Sequence, residues 1–188
     1  MTITLRPHQQ RGINRMEEYD KGQLIFPTGA GKTLTAIMDA KRVFETADSH
    51  KTIVIVAPRI LLAEQLCSEF LEVIQRKDVH VMHVHSGETS HFSTTKVKEI
   101  ALHDSVCKTA GEHQLIFTTY NSLSRLVDAK VDVDTIYFDE AHNSVKRNFF
   151  PATEHFSQEA NRCYFFTATR KTSVTIAKPG MNDREVYG

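Results

Sequence analysis

The sequence predicts an α/β fold, an open and mainly parallel sheet with helices on both faces. Short apolar runs recur along the 188 residues at intervals that leave room for a helix between them. Several of these runs lack the apolar–polar alternation of a half-exposed strand, as expected of strands covered on both faces in a parallel sheet. The intervals between them carry apolar residues at helical spacing.

Each element follows in chain order. "RPHQQ" (6–10) reads as a helix N-terminus with Pro7 in the first turn. "QLIF" (23–26) is the first strand, and residues 32–44 form a helix with Leu34, Ile37, Met38 and Lys41 on one side. "TIVIVA" (52–57) is the second strand. Leu62, Leu66, Phe70 and Ile74 then fall four apart while Glu64, Glu69 and Glu72 point elsewhere, which predicts an amphipathic helix. "VHVMHVH" (79–85), "QLIFTT" (114–119), "DTIYFDE" (134–140) and "CYFFTAT" (163–169) complete the strands. Residues 86–113 are polar and weakly periodic, with one short helix around 95–103 and no assigned task. Sheets of this kind bind ligands at the carboxyl ends of their strands.

Composition narrows the function. A chain this long buries about 70% of the surface its unfolded form exposes, enough for one domain without staples. Lysine plus arginine and aspartate plus glutamate are both 23, so no overall positive field draws the chain to nucleic acid or to an acidic membrane, and any polyanion site is local. The first twenty residues hold Arg6, Arg11 and Arg15 with no apolar stretch of secretory length, and the purest apolar run (53–57) is too short to span a bilayer. The expectation is a soluble, cytoplasmic protein without membrane partners. Cys67, Cys107 and Cys163 are odd in number and widely spaced, as expected of reduced structural thiols. His80, His83, His85 and His91 lack a carboxylate or cysteine that would complete a zinc set.

Two stretches carry chemistry. In "FPTGAGKT" (26–33), Gly29 and Gly31 follow a strand and precede Lys32, Thr33 and a helix. Such glycines let the backbone of Thr28, Gly29, Ala30 and Gly31 turn its N–H groups around phosphate oxygens, and the helix N-terminus adds the positive end of its dipole. The lysine then reaches the β- and γ-phosphates, and the threonine hydroxyl ligates magnesium. Phe26 stands where the general loop pattern begins with glycine. "IYFDEAH" (136–142) supplies the second requirement: Asp139 at a strand end to hold the magnesium shell, and Glu140 beside it to orient or deprotonate the attacking water.

With these residues in order, the chain resembles the first RecA-like P-loop NTPase domain of the superfamily-two helicases and translocases. "LRPHQ" (5–9) is similar to the adenine-reading element, "PTGAGKT" (27–33) to motif I, "APRILLAEQ" (57–65) to motif Ia, "TTYNSL" (118–123) to motif Ib, "DEAH" (139–142) to motif II and "TAT" (167–169) to motif III. The resemblance implies ATP and Mg²⁺ as cofactors. It implies that Gln9 reads the adenine edge with Arg6 near the base, and that Arg59, Thr118 and Thr119 contact the backbone of a nucleic acid strand. Thr167 and Thr169 would couple the γ-phosphate state to that track, with His142 linking motif II to motif III. "LRPHQQ", "PTGAGKT" and the tail "MNDREVYG" (181–188) look most like the restriction-subunit and phage-type DNA helicase branch, although Arg170 replaces the proline usual after motif III there. DNA is therefore favoured over RNA as the partner, in the cytoplasm or in that of a host if phage-encoded. The family closes ATP between two RecA-like domains, so residues 1–188 read as half of a motor, a monomer when isolated and nearly inactive without the second domain. The alternatives are an RNA helicase domain and a stand-alone nucleotide-binding switch that does not translocate.

Overall fold

The computed structural model describes residues 2–27, 31–175 and 178–188. Seven strands form one sheet: β1 (Lys21–Ile25), β2 (Thr52–Ala57), β3 (Val79–Val84), β4 (Phe92–Ser93), β5 (His113–Thr119), β6 (Thr135–Phe138) and β7 (Arg162–Thr167). Their spatial order is β1-β7-β6-β2-β5-β3-β4, and every pairing is parallel. All seven carboxyl ends therefore lie along one edge. The central strands β2, β5 and β6 are buried at every residue, which is why their sequences run apolar without alternation.

Helices α1 (Pro7–Glu18), α2 (Lys32–Thr46) and α3 (Ile60–Val73) cover one face, where Met16, Ala40, Phe44, Ala63 and Phe70 pack on Ile53, Ile55 and Phe117. Helices α4 (Val97–Ala110), α5 (Leu123–Asp128), α6 (Phe150–Glu159) and α7 (Arg184–Tyr187) cover the other, with Ile100, Leu126, Phe156 and Tyr187 against Val54, Ile116 and Phe138. A 3-10 turn, Ala141–Val145, follows β6. The fold class is the expected one. The six strands read from the sequence are all present, with ends displaced by up to two residues.

Three elements differ from expectation. The buried face of α2 is Ala36, Ile37, Ala40, Val43 and Phe44, with Leu34 and Met38 at its margin and Lys41 outside, paired with Glu45 at 3.0 Å. The alanines let the helix sit close to the sheet, and Asp39 turns inward because Arg162 satisfies it. Helix α4 runs fourteen residues to Gly111, whose φ of 69° is the left-handed C-cap glycine favours. Its stripe was weak because a carboxylate, Asp104, occupies an inward position, where it accepts from Gln114 Nε2 at 3.0 Å. Strand β4 is two residues long and carries no periodic signal.

The tail seals the β1 edge. Gln23 Nε2 donates to Met181 O at 2.9 Å, Lys21 Nζ to Glu185 O at 2.9 Å, and the Tyr187 hydroxyl bonds Ser144 Oγ at 2.8 Å. Arg170 belongs to this seam: Nε donates to Gln23 Oε1 at 3.0 Å and NH2 to Met181 O at 3.1 Å. Cys67, Cys107 and Cys163 are buried and unbridged, and burial pushes the Cys67 and Cys107 thiols up to about 11.

Candidate nucleotide and nucleic-acid site

Parallel pairing brings the segments after β1, β2, β5, β6 and β7 to one edge, so motifs far apart in sequence become neighbours. Thr28, Gly29 and Ala30 lie outside the described residues. Gly31 is the N-cap of α2 with φ 77°, and a Cβ there would meet Gln9 Nε2 at 2.1 Å, so any other residue would be strained and would push Gln9 aside. Lys32 and Thr33 open the helix behind it.

Lys32 is the centre of the site. Its ammonium bonds Glu140 Oε1 and lies 3.3 Å from Asp139 Oδ1. Burial alone would pull the Lys32 pKa down, but the hydrogen bond with Glu140 and the charges of both carboxylates outweigh it, and the net shift is upward. Burial pushes the Asp139 carboxyl up, against the opposing pull of Lys32. Lys32, Thr33 and Asp139 line one small cavity with Ala36 and Tyr137. A hydroxyl and a carboxylate lining one cavity are oxygen donors of the kind a hard cation takes, so their chemistry fits magnesium. Among the described residues, no cluster of three or more His, Cys, Asp or Glu is placed to hold a metal by itself.

Glu140 is held in the left-handed region at φ 47°, ψ 53°, a strained backbone for a non-glycine residue. Asn143 Nδ2 donates to its carbonyl at 2.9 Å. The turn aims the carboxylate at Lys32 and brings Oε2 to 3.7 Å from His142 Nδ1. Thr167 Oγ1 donates its one proton to Thr169 O at 2.7 Å and accepts from Thr169 N at 3.2 Å, so its 3.1 Å contact with His142 Nδ1 makes that nitrogen the donor. The structure thus brings His142, Thr167 and Thr169 into one network touching Glu140.

Gln9 is 4% exposed and engaged at both ends: Oε1 accepts from Arg6 N at 2.8 Å, half of a capping box for α1, and Nε2 donates to Gly31 O at 3.0 Å. The amide thereby ties the start of α1 to the start of α2. Arg6 is exposed beside it. Arg59 is the exposed N-cap of α3 at the end of β2. Thr118 and Thr119 are buried, at 0% and 4% exposure, and the Thr118 hydroxyl donates to Val84 O at 2.7 Å. The Thr118 hydroxyl thus holds β5 to β3, and Asn121 is the exposed side chain just beyond that strand end. Sequence reasoning missed Tyr120, whose hydroxyl donates to Asp139 O at 2.7 Å, because nothing in the chain order tells that β5 ends near β6.

Residues 2–172 match the family model of the type III restriction enzyme, res subunit. A Dicer-like protein 2 from Coccidioides immitis (strain RS) is 29% identical over 150 residues, which is 76% of this chain and 10% of that protein. Among solved structures, a nuclease-deletion mutant of the Type ISP restriction-modification enzyme LlaGI, in complex with a DNA substrate mimic, has a TM-score of 0.81 at 22% identity over 99% of this chain and 19% of its own. The Sulfolobus solfataricus SWI2/SNF2 ATPase core in complex with dsDNA has a TM-score of 0.63 at 20% identity, over 99% and 34%. The chain therefore spans between a tenth and about a third of these proteins.

Proposed function

The chain belongs to the type III restriction enzyme res-subunit family, and we propose that it is the first motor domain of an ATP-dependent DNA helicase or translocase. A superfamily-two, RecA-like domain is what the family match and the fold together give. The finer reading, that this domain binds Mg-ATP, rests on one observation: Lys32 stands between Asp139 and Glu140.

That contact makes nucleotide binding an exchange of ion pairs. Incoming β- and γ-phosphates compete with Glu140 for the Lys32 ammonium, so the carboxylate released by their arrival becomes the base that takes a proton from the attacking water. Asp139 and the Thr33 hydroxyl would hold magnesium, which when bound neutralises charge on the phosphate oxygens. Gln9 would present its amide to the adenine edge after yielding its bonds to Arg6 and Gly31, and His142 with Thr167 would report the state of Glu140 to motif III. Arg59 and the end of β5 would contact the sugar–phosphate backbone, with Asn121 and backbone groups acting where the Thr118 and Thr119 side chains are enclosed. DNA is favoured over RNA because two of the solved relatives hold a DNA mimic or duplex. A second RecA-like domain would complete the ATP site.

The test is binding of Mg-ATP by this chain, measured by calorimetry, followed by ATPase assays of the chain joined to a second RecA-like domain with single-stranded DNA, duplex DNA and RNA. Saturable, magnesium-dependent binding that Lys32→Ala weakens, and stimulation by DNA above RNA, are expected. No magnesium-dependent binding would overturn the reading, and stimulation by RNA alone would reassign the track.

A further inference from the structure

One buried titratable group stands beside the site with no part in the chemistry above. Tyr120 follows Thr119 directly and is 3% exposed. Its hydroxyl holds the Asp139 carbonyl, its ring stacks on Phe149 at 5.7 Å, and it tilts against Phe138 at 6.1 Å. Phe149 in turn lies under Lys146, whose ammonium is 5.7 Å from the ring centre. Lys146 and Arg147 are exposed, just past the 3-10 turn that carries His142.

We propose that Tyr120 is a positioning residue that ties contact with a nucleic-acid backbone to the placement of Asp139, with the exposed Lys146, which lies over the Phe149 ring, and its neighbour Arg147 as phosphate contacts. This rests on the motor-domain reading above. The path is short and made of packed parts. A phosphate held by Lys146 and Arg147 fixes the turn that bears Phe149, Phe149 fixes the Tyr120 ring, and the Tyr120 hydroxyl fixes the Asp139 carbonyl. On its other side the Asp139 N–H donates to Val56 O at 2.8 Å in the sheet, so the carboxylate facing Lys32 is aimed by one fixed bond and one bond that the strand-contact surface can move. Tyr120 also begins the segment after β5, so the strand contact at Asn121 reaches the same hydroxyl through one residue. A packed chain of this kind has a coupling role only if both sites bias it, so the test has to measure coupling itself.

The experiment is a linkage measurement on the 188-residue chain. The Kd of a non-hydrolysable Mg-ATP analogue is measured with and without saturating oligo-dT, for the unaltered chain, Tyr120→Phe and the double variant Lys146→Ala/Arg147→Ala. In the unaltered chain DNA should change nucleotide affinity by about 5- to 150-fold, with nucleotide changing DNA affinity by the same factor. Tyr120→Phe keeps the ring, so it should melt close to the unaltered chain and still bind both ligands, while the coupling factor falls to near one. A merely structural hydroxyl would lower the melting temperature and leave the factor alone. The double variant should weaken oligo-dT binding and reduce the salt slope by about 1.4, at roughly 0.7 for each single-strand phosphate that is no longer neutralised. Tyr120→Phe with full coupling, a double variant with unchanged affinity and salt slope, or a coupling factor of one in the unaltered chain would each overturn the proposal and leave the motor-domain reading standing. Absence of both nucleotide and DNA binding in the unaltered chain would overturn the two together.

Discussion

Asp39→Asn should cost this protein more stability than any substitution at the candidate site, because the carboxylate is the hub of a buried charge network. Its side chain is fully enclosed and accepts from Arg162 NH1 at 3.0 Å and NH2 at 2.8 Å, from Arg42 NH2 at 2.7 Å, and from the Tyr137 hydroxyl. Burial works against the Arg162 charge, but the hydrogen bonds and charge of Asp39 outweigh it and raise the guanidinium pKa. An asparagine fits the space but presents one acceptor and a donor amide to two guanidinium groups, leaving the largely enclosed Arg162, 14% exposed, unneutralised. Breaking one partner of a buried pair costs about 3–5 kcal/mol. At about 2–4 °C per kcal/mol for a chain of this size, the midpoint should fall by roughly 6–20 °C. Arg42→Ala is the internal control: that side chain is 34% exposed and contributes only one of the four contacts, so its loss should cost about 1 kcal/mol or less. Urea unfolding followed by circular dichroism reads both. A loss under about 1 kcal/mol for Asp39→Asn, or equal losses for the two variants, would refute the hub.

Three further outcomes are expected. Lys32→Ala should weaken nucleotide binding while Glu140→Gln keeps binding and abolishes turnover in the two-domain protein; wild-type hydrolysis by Glu140→Gln would remove Glu140 from the chemistry. Stability should fall as pH drops from 6.5, because burial and then the neighbouring charges of His85 and His91 lower the His83 pKa to about 4, so the unfolded chain takes up a proton that the folded one refuses. The bonding agrees: Gly87 N donates to His85 Nδ1, leaving His85 Nε2 to donate to His83 Nδ1 at 3.1 Å, where a second proton on His83 has no place. The effect should reach roughly 3 kcal/mol by pH 4, and His83→Gln should flatten the urea midpoint between pH 6.5 and 5. Finally, the chain alone should displace no strand and hydrolyse ATP almost silently, since an arginine supplied in trans to the γ-phosphate is worth about 10³ to 10⁵ in turnover; ATP-dependent displacement by the short chain would end the half-motor reading.

What the sequence made legible was whatever is encoded locally. Gly31, Lys32 and Thr33 are consecutive, and a loop that must bend at φ 77° and open a helix announces itself in those three letters. The same holds for Asp139 and Glu140 behind a buried strand. Features that depend on strand order were hidden. That Tyr120 reaches Asp139 follows from β2 lying between β5 and β6, which no window of sequence contains. The buried positions of Thr118 and Thr119 follow from β5 being an interior strand of a sheet that helices cover on both faces, so both side chains are enclosed. Arg170 looked like a departure at motif III, yet its partners are Gln23, 147 residues away, and Met181 in the tail. The residue is accounted for by the seam it closes.

Helix α2 joins the stabilising hub to the chemistry. Lys32 opens it, and Asp39 sits seven residues on, about two turns or roughly 10 Å along the axis. Asp39 is locked to Arg162 at the amino end of β7, while Lys32 faces the carboxylates beyond the carboxyl end of β6. One helix is thus fixed at mid-length by a buried ion pair and presents its first residue to the site. Electrostatic stabilisation of phosphate chemistry depends on charges that need not reorganise as the reaction proceeds. A lysine on a helix free to slide would meet the phosphates at a variable distance, and a displacement of about 1 Å is enough to cost about 100-fold in rate. On the proposed function, the charge network would set the position from which Lys32 exchanges Glu140 for a phosphate, and Asp39→Asn measured well below its melting temperature should weaken Mg-ATP binding. Undiminished affinity in that variant would show that the site keeps its geometry without the hub.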